Sequence, residues 1–273
     1  MKNAPIGVFD SGVGGLTVVK EIMEQLPGES IIYFGDTARV PYGNKSEETV
    51  ARYSAQIIRF LLEKGAKTIV FACNTASAVA LEAVKKEFDV PMIGVVKPGA
   101  KAAAEETKNG NIGVIGTEAT IRSGIYNTFL QKTDPNVTVY GKACPLFVPL
   151  VEEGWLTEDA ITEQVARRYL EELSEKDIDT LVLGCTHYPL LREVVQKVMG
   201  DGVQLVNPAV ETARELKYLL EEQHLLSDRI VTGEAPEHWF FVSDGEEKFR
   251  KFAASILPSA MLRTEDIGVK TFE

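Results

Sequence analysis

Cysteine is scarce in this chain: there are three in 273 residues, and none sits in a Cys-x-x-Cys pair. A disulfide framework, the paired ligands of a structural zinc site and a dithiol redox motif are therefore not expected. Basic residues are outnumbered, 29 Lys and Arg against 40 Asp and Glu, for a formal charge of −11. That balance argues against a nucleic-acid surface. It leaves room for a small anion, because backbone amides can hold a carboxylate without a cationic side chain. No apolar run approaches the roughly 18 residues that a membrane helix needs, so no membrane association is expected. The chain enters a strand pattern at Ile6-Gly7-Val8-Phe9 without a signal-peptide layout, and a soluble cytoplasmic protein is the expectation. No Gly/Ser- or Pro-rich linker divides it.

What is present is alternation. Short β-rich apolar runs at 6–9, 31–34, 68–72, 92–96, 112–115, 137–140, 180–184 and 203–206 are separated by helical patterns. The helices are predicted at about 15–26, 46–64, 76–88, 98–107, 119–132, 158–174, 189–199 and 209–222. Strands separated by helices imply an α/β protein with mostly parallel sheets. Ser46 beside two glutamates marks a helix start, and Gly200 marks a helix end.

The alternation repeats. Lys67-Thr68-Ile69-Val70-Phe71-Ala72-Cys73-Asn74-Thr75 matches Asp179-Thr180-Leu181-Val182-Leu183-Gly184-Cys185-Thr186-His187, 112 residues on. Ile6-Gly7-Val8-Phe9-Asp10-Ser11 matches Ile112-Gly113-Val114-Ile115-Gly116-Thr117 at an offset of 106, and Pro98 matches Pro208 at 110. Three pairs in one order imply two similar α/β units. The expected division is 1–97 plus 208–273 for the first unit and 98–207 for the second, close-packed around a cleft. Ligands of parallel α/β sheets bind beyond the carboxyl ends of the strands. Asp10, Asp36, Cys73 and Cys185 all fall at such ends.

A lone cysteine is most often a small buried hydrophobe, and Cys144, outside the repeat, is read that way. Two cysteines at matching strand ends suggest instead two equivalent acid/base groups facing one site. His187, two residues past Cys185, is the local candidate for exchanging a proton with a thiol. Cys185 with His187 could supply two metal ligands, but His224 and His238 lie in sequence that reads as helical or terminal, and no metal is expected. Asp10-Ser11-Gly12-Val13-Gly14-Gly15 has Thr17 where a dinucleotide loop needs its third glycine. It reads as a nest of amides for a carboxylate or as a plain tight turn. The 35–44 loop is either a binding loop or a solvated connection, and Glu152 by itself reads as a surface carboxylate.

Taken together, Asp10–Gly15, Gly35-Asp36-Thr37-Ala38-Arg39-Val40-Pro41-Tyr42-Gly43, Ala72-Cys73-Asn74-Thr75-Ala76 and Gly184-Cys185-Thr186-His187-Tyr188-Pro189 resemble the cofactor-independent aspartate/glutamate racemase family. The resemblance runs from Gly7 to about Val210. It implies two pseudo-symmetric α/β domains with the active site in the cleft between them. It implies interconversion of L- and D-glutamate, supplying D-glutamate for peptidoglycan, with no pyridoxal phosphate, metal or nucleotide as cofactor. It makes Cys73 and Cys185 the two acid/bases, with Asp10 assisting Cys73, Glu152 and His187 supporting Cys185, and Asp36 a further active-site carboxylate. Ser11, Tyr42, Gly43, Asn74, Thr75 and Thr186 become substrate contacts, alongside Asp10 and His187. A homodimer is a further expectation. Activation by a cell-wall precursor is not expected, since the members that show it carry an extension before the first strand. Two alternatives stay open at this point: a racemase for aspartate or a related small substrate, and a non-catalytic amino-acid-binding module.

Overall fold

The computed structural model describes residues 2–156, 159–258 and 267–272. Its strands are β1 (Ile6–Asp10), β2 (Ile31–Gly35), β3 (Thr68–Phe71), β4 (Met92–Gly94), β5 (Asn111–Gly116), β6 (Thr138–Ala143), β7 (Thr180–Gly184), β8 (Gln204–Val206), β9 (His238–Val242) and β10 (Ile267–Val269). They form two sheets, ordered β10-β9-β2-β1-β3-β4 and β6-β5-β7-β8. Every pairing is parallel. The order β6-β5-β7-β8 is the order β2-β1-β3-β4 with each number raised by four, so the sequence repeat is a repeat of topology. In both sheets the order reverses beside the first strand of the unit, which opens a crevice at the carboxyl ends of β1 and β3, and of β5 and β7.

Parallel sheets need cover on both faces, and the periodicity of the helices supplies it. Leu16–Gln25 turns Leu16, Val19 and Ile22 onto one face of the first sheet, where Leu216 of the helix Pro208–Glu222 and Phe249 of the helix Glu246–Ile256 join them. Glu47–Glu63 turns Val50, Ile57 and Leu61 onto the other face. Ser46 caps that helix by accepting from the Thr49 amide at 3.3 Å. The second sheet lies between Ala160–Ser174 with Arg192–Met199 on one face and Val96–Glu106 with Ile125–Thr133 on the other. Among the described residues no helix is long and apolar enough to cross a membrane.

The helices that carry the repeat-related prolines, Val96–Glu106 and Pro208–Glu222, pack directly on one another. A Cβ on Gly99 would lie 2.8 Å from Pro208 Cγ, so the two units meet at equivalent points of their repeats.

Several sequence expectations need correction. The segment 76–88 is two short helices, Asn74–Val79 and Leu81–Val84, and it begins early enough for Cys73 to be its cap. The helix predicted at 119–132 breaks at Gly124, whose φ of 64° is left-handed. His238 lies in β9, which pairs with β2 and was not predicted as a strand. Residue 158, the predicted start of one helix, lies outside the described residues, and that helix begins at Ala160.

Candidate active site

The carboxyl ends of β1, β3 and β7 bring the sequence-predicted residues together. Asp10 ends β1 and is fully buried. Its Oδ2 accepts from the Gly12 amide at 3.0 Å and its Oδ1 from Thr186 Oγ1 at 3.4 Å. The amide nest expected for a ligand is therefore turned, at Gly12, onto the chain's own carboxylate. Burial raises the Asp10 pKa above the ordinary carboxylate value, against the opposing pull of His187 and the Gly12 and Gly15 amides.

Cys73 follows β3 and caps the helix Asn74–Val79, its Sγ accepting from the Ala76 amide at 3.4 Å. Ser11 Oγ lies 3.5 Å from the same sulfur. Burial, reinforced by the charges of Asp10 and Cys185, pushes the Cys73 thiol up to about 12 despite those two hydrogen bonds. Cys73 is thus a protonated thiol at neutral pH.

Cys185 follows β7 in the equivalent position, with His187 Nδ1 3.9 Å from its sulfur. His187 Nε2 is 3.3 Å from Glu152 Oε1. Burial opposes a charge on His187, but Cys185, Glu152 and Asp10 together hold its pKa up to about 10, so an imidazolium stands beside Cys185. Hydrogen bonding from His187 outweighs burial at Glu152 and holds its carboxyl below the ordinary range, with help from Lys248. Glu152 ends the short helix Phe147–Glu152, which lies outside the helices predicted from the sequence.

The remaining predicted residues divide into two groups. Asn74 and Thr75 line the junction between the units: Tyr126 OH donates to Asn74 Oδ1 at 2.7 Å, and Thr75 Oγ1 lies 2.9 Å from Thr117 Oγ1. Gly43 packs against Thr117, which a Cβ there would approach to 3.0 Å. Asp36 and Tyr42 instead form a buried network beneath the 36–44 loop. Tyr42 OH donates to Asp36, Arg39 Nε lies 2.9 and 2.8 Å from its two oxygens, and Ser243 Oγ donates to Oδ1 at 2.9 Å. Every partner of Asp36 in this network anchors the loop, which itself lies over the site.

Sequence reasoning missed Thr117, Tyr126, Thr17 and Lys248. Thr117 had a usable signal, since the repeat aligns it with Ser11. Thr17 Oγ1 donates to the Thr186 carbonyl at 3.1 Å and Lys248 Nζ lies 3.2 Å from Glu152 Oε2. Neither contact has a local signature. A cleft of about 430 Å³, lined by Pro41, Gly43, Thr117, Val148, Pro149 and Glu152, opens beside this cluster. Among the described residues no group of three or more His, Cys, Asp or Glu could hold a metal ion.

Cys144 stands apart. It is fully buried, burial pushes its thiol up to about 12, and its carbonyl accepts from Tyr188 OH at 2.8 Å.

Two buried thiols stand at equivalent strand ends, one a neutral acid and one beside an imidazolium, and such groups are able to give and take a proton. Residues 6–216 match the model of the Asp/Glu/hydantoin racemase family, and the chain belongs to that family. A glutamate racemase of Geobacter metallireducens is 54% identical to it over 239 residues, covering 88% of this chain and 87% of that one. Among solved structures, a glutamate racemase isoform from Bacillus anthracis is 41% identical and superposes with a TM-score of 0.90 over 100% of this chain and 98% of the other. The Francisella tularensis glutamate racemase, solved in complex with D-glutamate, is 40% identical with a TM-score of 0.89, covering 99% and 98%.

Proposed function

We propose that this chain is a glutamate racemase that interconverts L- and D-glutamate by a two-thiol proton transfer and supplies D-glutamate for peptidoglycan. The observation that carries the mechanism is the pairing of Cys73 and Cys185 at repeat-related positions, each with its own buried partner group. Cys185, with the imidazolium of His187 as counter-charge, removes the α-proton of L-glutamate. The Cys73 thiol then delivers its proton to the opposite face. Cys185 ends as thiol and Cys73 as thiolate, which is the state needed for the reverse reaction, and exchange with water restores the first state.

The deprotonated intermediate carries charge on its α-carboxylate. Hydroxyls held in place before the reaction stabilise such charge without reorganising, and Ser11, Thr75 and Thr186 stand ready around the two sulfurs. Tyr42 and Gly43 belong to the loop that shapes the cleft mouth. In this reading Asp10 sets the charge environment of Cys73. Asp36 acts by anchoring the loop.

The same reading divides the chain into 1–97 plus 208–273 and 98–207, with glutamate held between the two parts. It places the protein in the cytoplasm as a homodimer, which sedimentation velocity checks.

The test is optical rotation of L-glutamate with purified protein, dialysed against chelator and with no added cofactor. Decay of the rotation to zero is expected, because the two enantiomers have equal free energy. A stable rotation, or racemisation that returns only on adding a metal or pyridoxal phosphate, overturns the mechanism. A kcat/KM for aspartate equal to that for glutamate overturns the assignment of substrate.

A further inference from the structure

We propose that Lys248 is a positioning residue for the proton-transfer site, holding Glu152 across the cleft so that its other oxygen is aimed at His187. This inference rests on the reading of Cys185 and His187 given above. Glu152 is split between two partners: Oε1 meets His187 Nε2 at 3.3 Å, and Oε2 meets Lys248 Nζ at 3.2 Å. The two partners come from different parts of the fold. His187 and Glu152 follow the second sheet, whereas Lys248 lies on the helix Glu246–Ile256, which packs against the first sheet beside Tyr33 and Phe240. The ion pair therefore bridges the units at the edge of the cleft. Lys248, Glu152, Asp244 and Val40 line a small cavity of about 150 Å³ at that edge.

A carboxylate at the end of a six-residue helix has freedom to rotate. With one oxygen fixed by an ammonium, the other is presented to His187 in a single orientation. Without Lys248, Glu152 can swing to solvent, and His187 loses the partner that orients its ring toward Cys185. The groups facing Glu152 are His187 from behind β7 and Lys248 from the last long helix; those facing His187 are Cys185, Glu152 and Asp10. Lys248 is more than half exposed, its side chain retaining 59% of its accessible surface. Solvent screening of so open a pair limits its effect to about fivefold in rate.

The experiment compares the intact protein with Lys248→Met and Lys248→Arg. Three quantities are read: kcat and KM for racemisation, the acid limb of the kcat profile, and the exchange rate of the His187 Nε2 proton by nitrogen-15 NMR. With three histidines in the chain, the imidazole signals can be assigned by substitution. The methionine variant is expected to lose about fivefold in kcat with KM nearly unchanged, and the arginine variant to recover most of the loss. The acid limb should move to higher pH, because Glu152 loses a cation that favours its ionised form. The His187 Nε2 proton should exchange faster.

Intact kcat, acid limb and proton exchange in the methionine variant overturn the proposal. So does a loss of activity that arginine does not restore and that leaves the His187 signal unchanged, since that is general structural damage. If the intact protein fails to racemise glutamate while the His187 proton still responds to Lys248, the functional reading falls and the positioning role stands.

Discussion

Gly14 offers a sharp test of how tightly the two units are fitted at the site. A methyl group there would lie 2.4 Å from His187 Nδ1 and 2.5 Å from Thr186 Oγ1. Both atoms belong to side chains that are nearly buried, so neither can simply swing into water. The loop carrying Gly14 is also tied down: Thr17 Oγ1 donates to the Gly14 carbonyl at 2.9 Å and to the Thr186 carbonyl at 3.1 Å. Gly14→Ala must therefore separate the first-unit loop from the Thr186-His187 segment by about 1 Å, taking van der Waals contact as roughly 3.5 Å.

A displacement of that size at a proton-transfer site can cost about 100-fold in rate. The overpacking itself costs about 2 kcal/mol of stability, equivalent to about 5 °C in Tm for a chain of this length. Racemisation followed by circular dichroism, with thermal unfolding of the same samples, separates the two effects. Gly202→Ala is the control, since a Cβ there meets nothing within 4 Å. A Gly14→Ala protein that keeps more than half the intact kcat would refute the close fit of the Gly14 loop to His187.

Three other outcomes are expected, the first from the proposed mechanism and the family resemblance, the others from the geometry. Cys73→Ala and Cys185→Ala should each lose nearly all racemisation, yet each should still exchange the α-proton of one enantiomer with deuterated solvent: D-glutamate for the variant that keeps Cys73 and L-glutamate for the one that keeps Cys185. Proton NMR of each enantiomer checks this, and exchange of the same enantiomer by both variants contradicts it. His187 is held up to about 10 in the folded chain, against an ordinary value of about 6.5 in the unfolded one. Its contribution to stability is thus complete below pH 6.5 and lost as pH rises toward 10, so His187→Asn should flatten the decline of Tm across that window. Asp36→Ala strips the buried partner from Arg39, whose side chain is largely shielded. It should cost about 3 kcal/mol in denaturant unfolding, and a loss below about 1 kcal/mol would show that the network does not anchor the loop.

The sequence determined the plan of this protein. Eight strands, their parallel sense and the placing of Asp10, Cys73 and Cys185 at strand ends follow from local patterns, because a short apolar run between amphipathic helices has few other fates. The repeat made the two cysteines equivalent before any coordinate was known. Local pattern failed where neighbours decide. His238-Trp239-Phe240-Phe241-Val242 is an apolar run like β2, but it lies beyond the repeat and reads as helical or terminal sequence; its place as β9 comes from pairing with β2. Glu152 reads as a surface carboxylate in its own sequence and becomes a site residue only because His187 and Lys248 close on it from two directions. Asp36, at a strand end like Asp10, is instead consumed by Arg39, Tyr42 and Ser243, the last of them 207 residues away. The charge states of Cys73 and His187 belong to the tertiary structure alone. An exposed thiol would titrate near 8.5. Burial beside Asp10 keeps Cys73 protonated, and a histidine two residues beyond Cys185 becomes its cationic partner only because the fold sets Cys185, Glu152 and Asp10 around it, against the cost of burial.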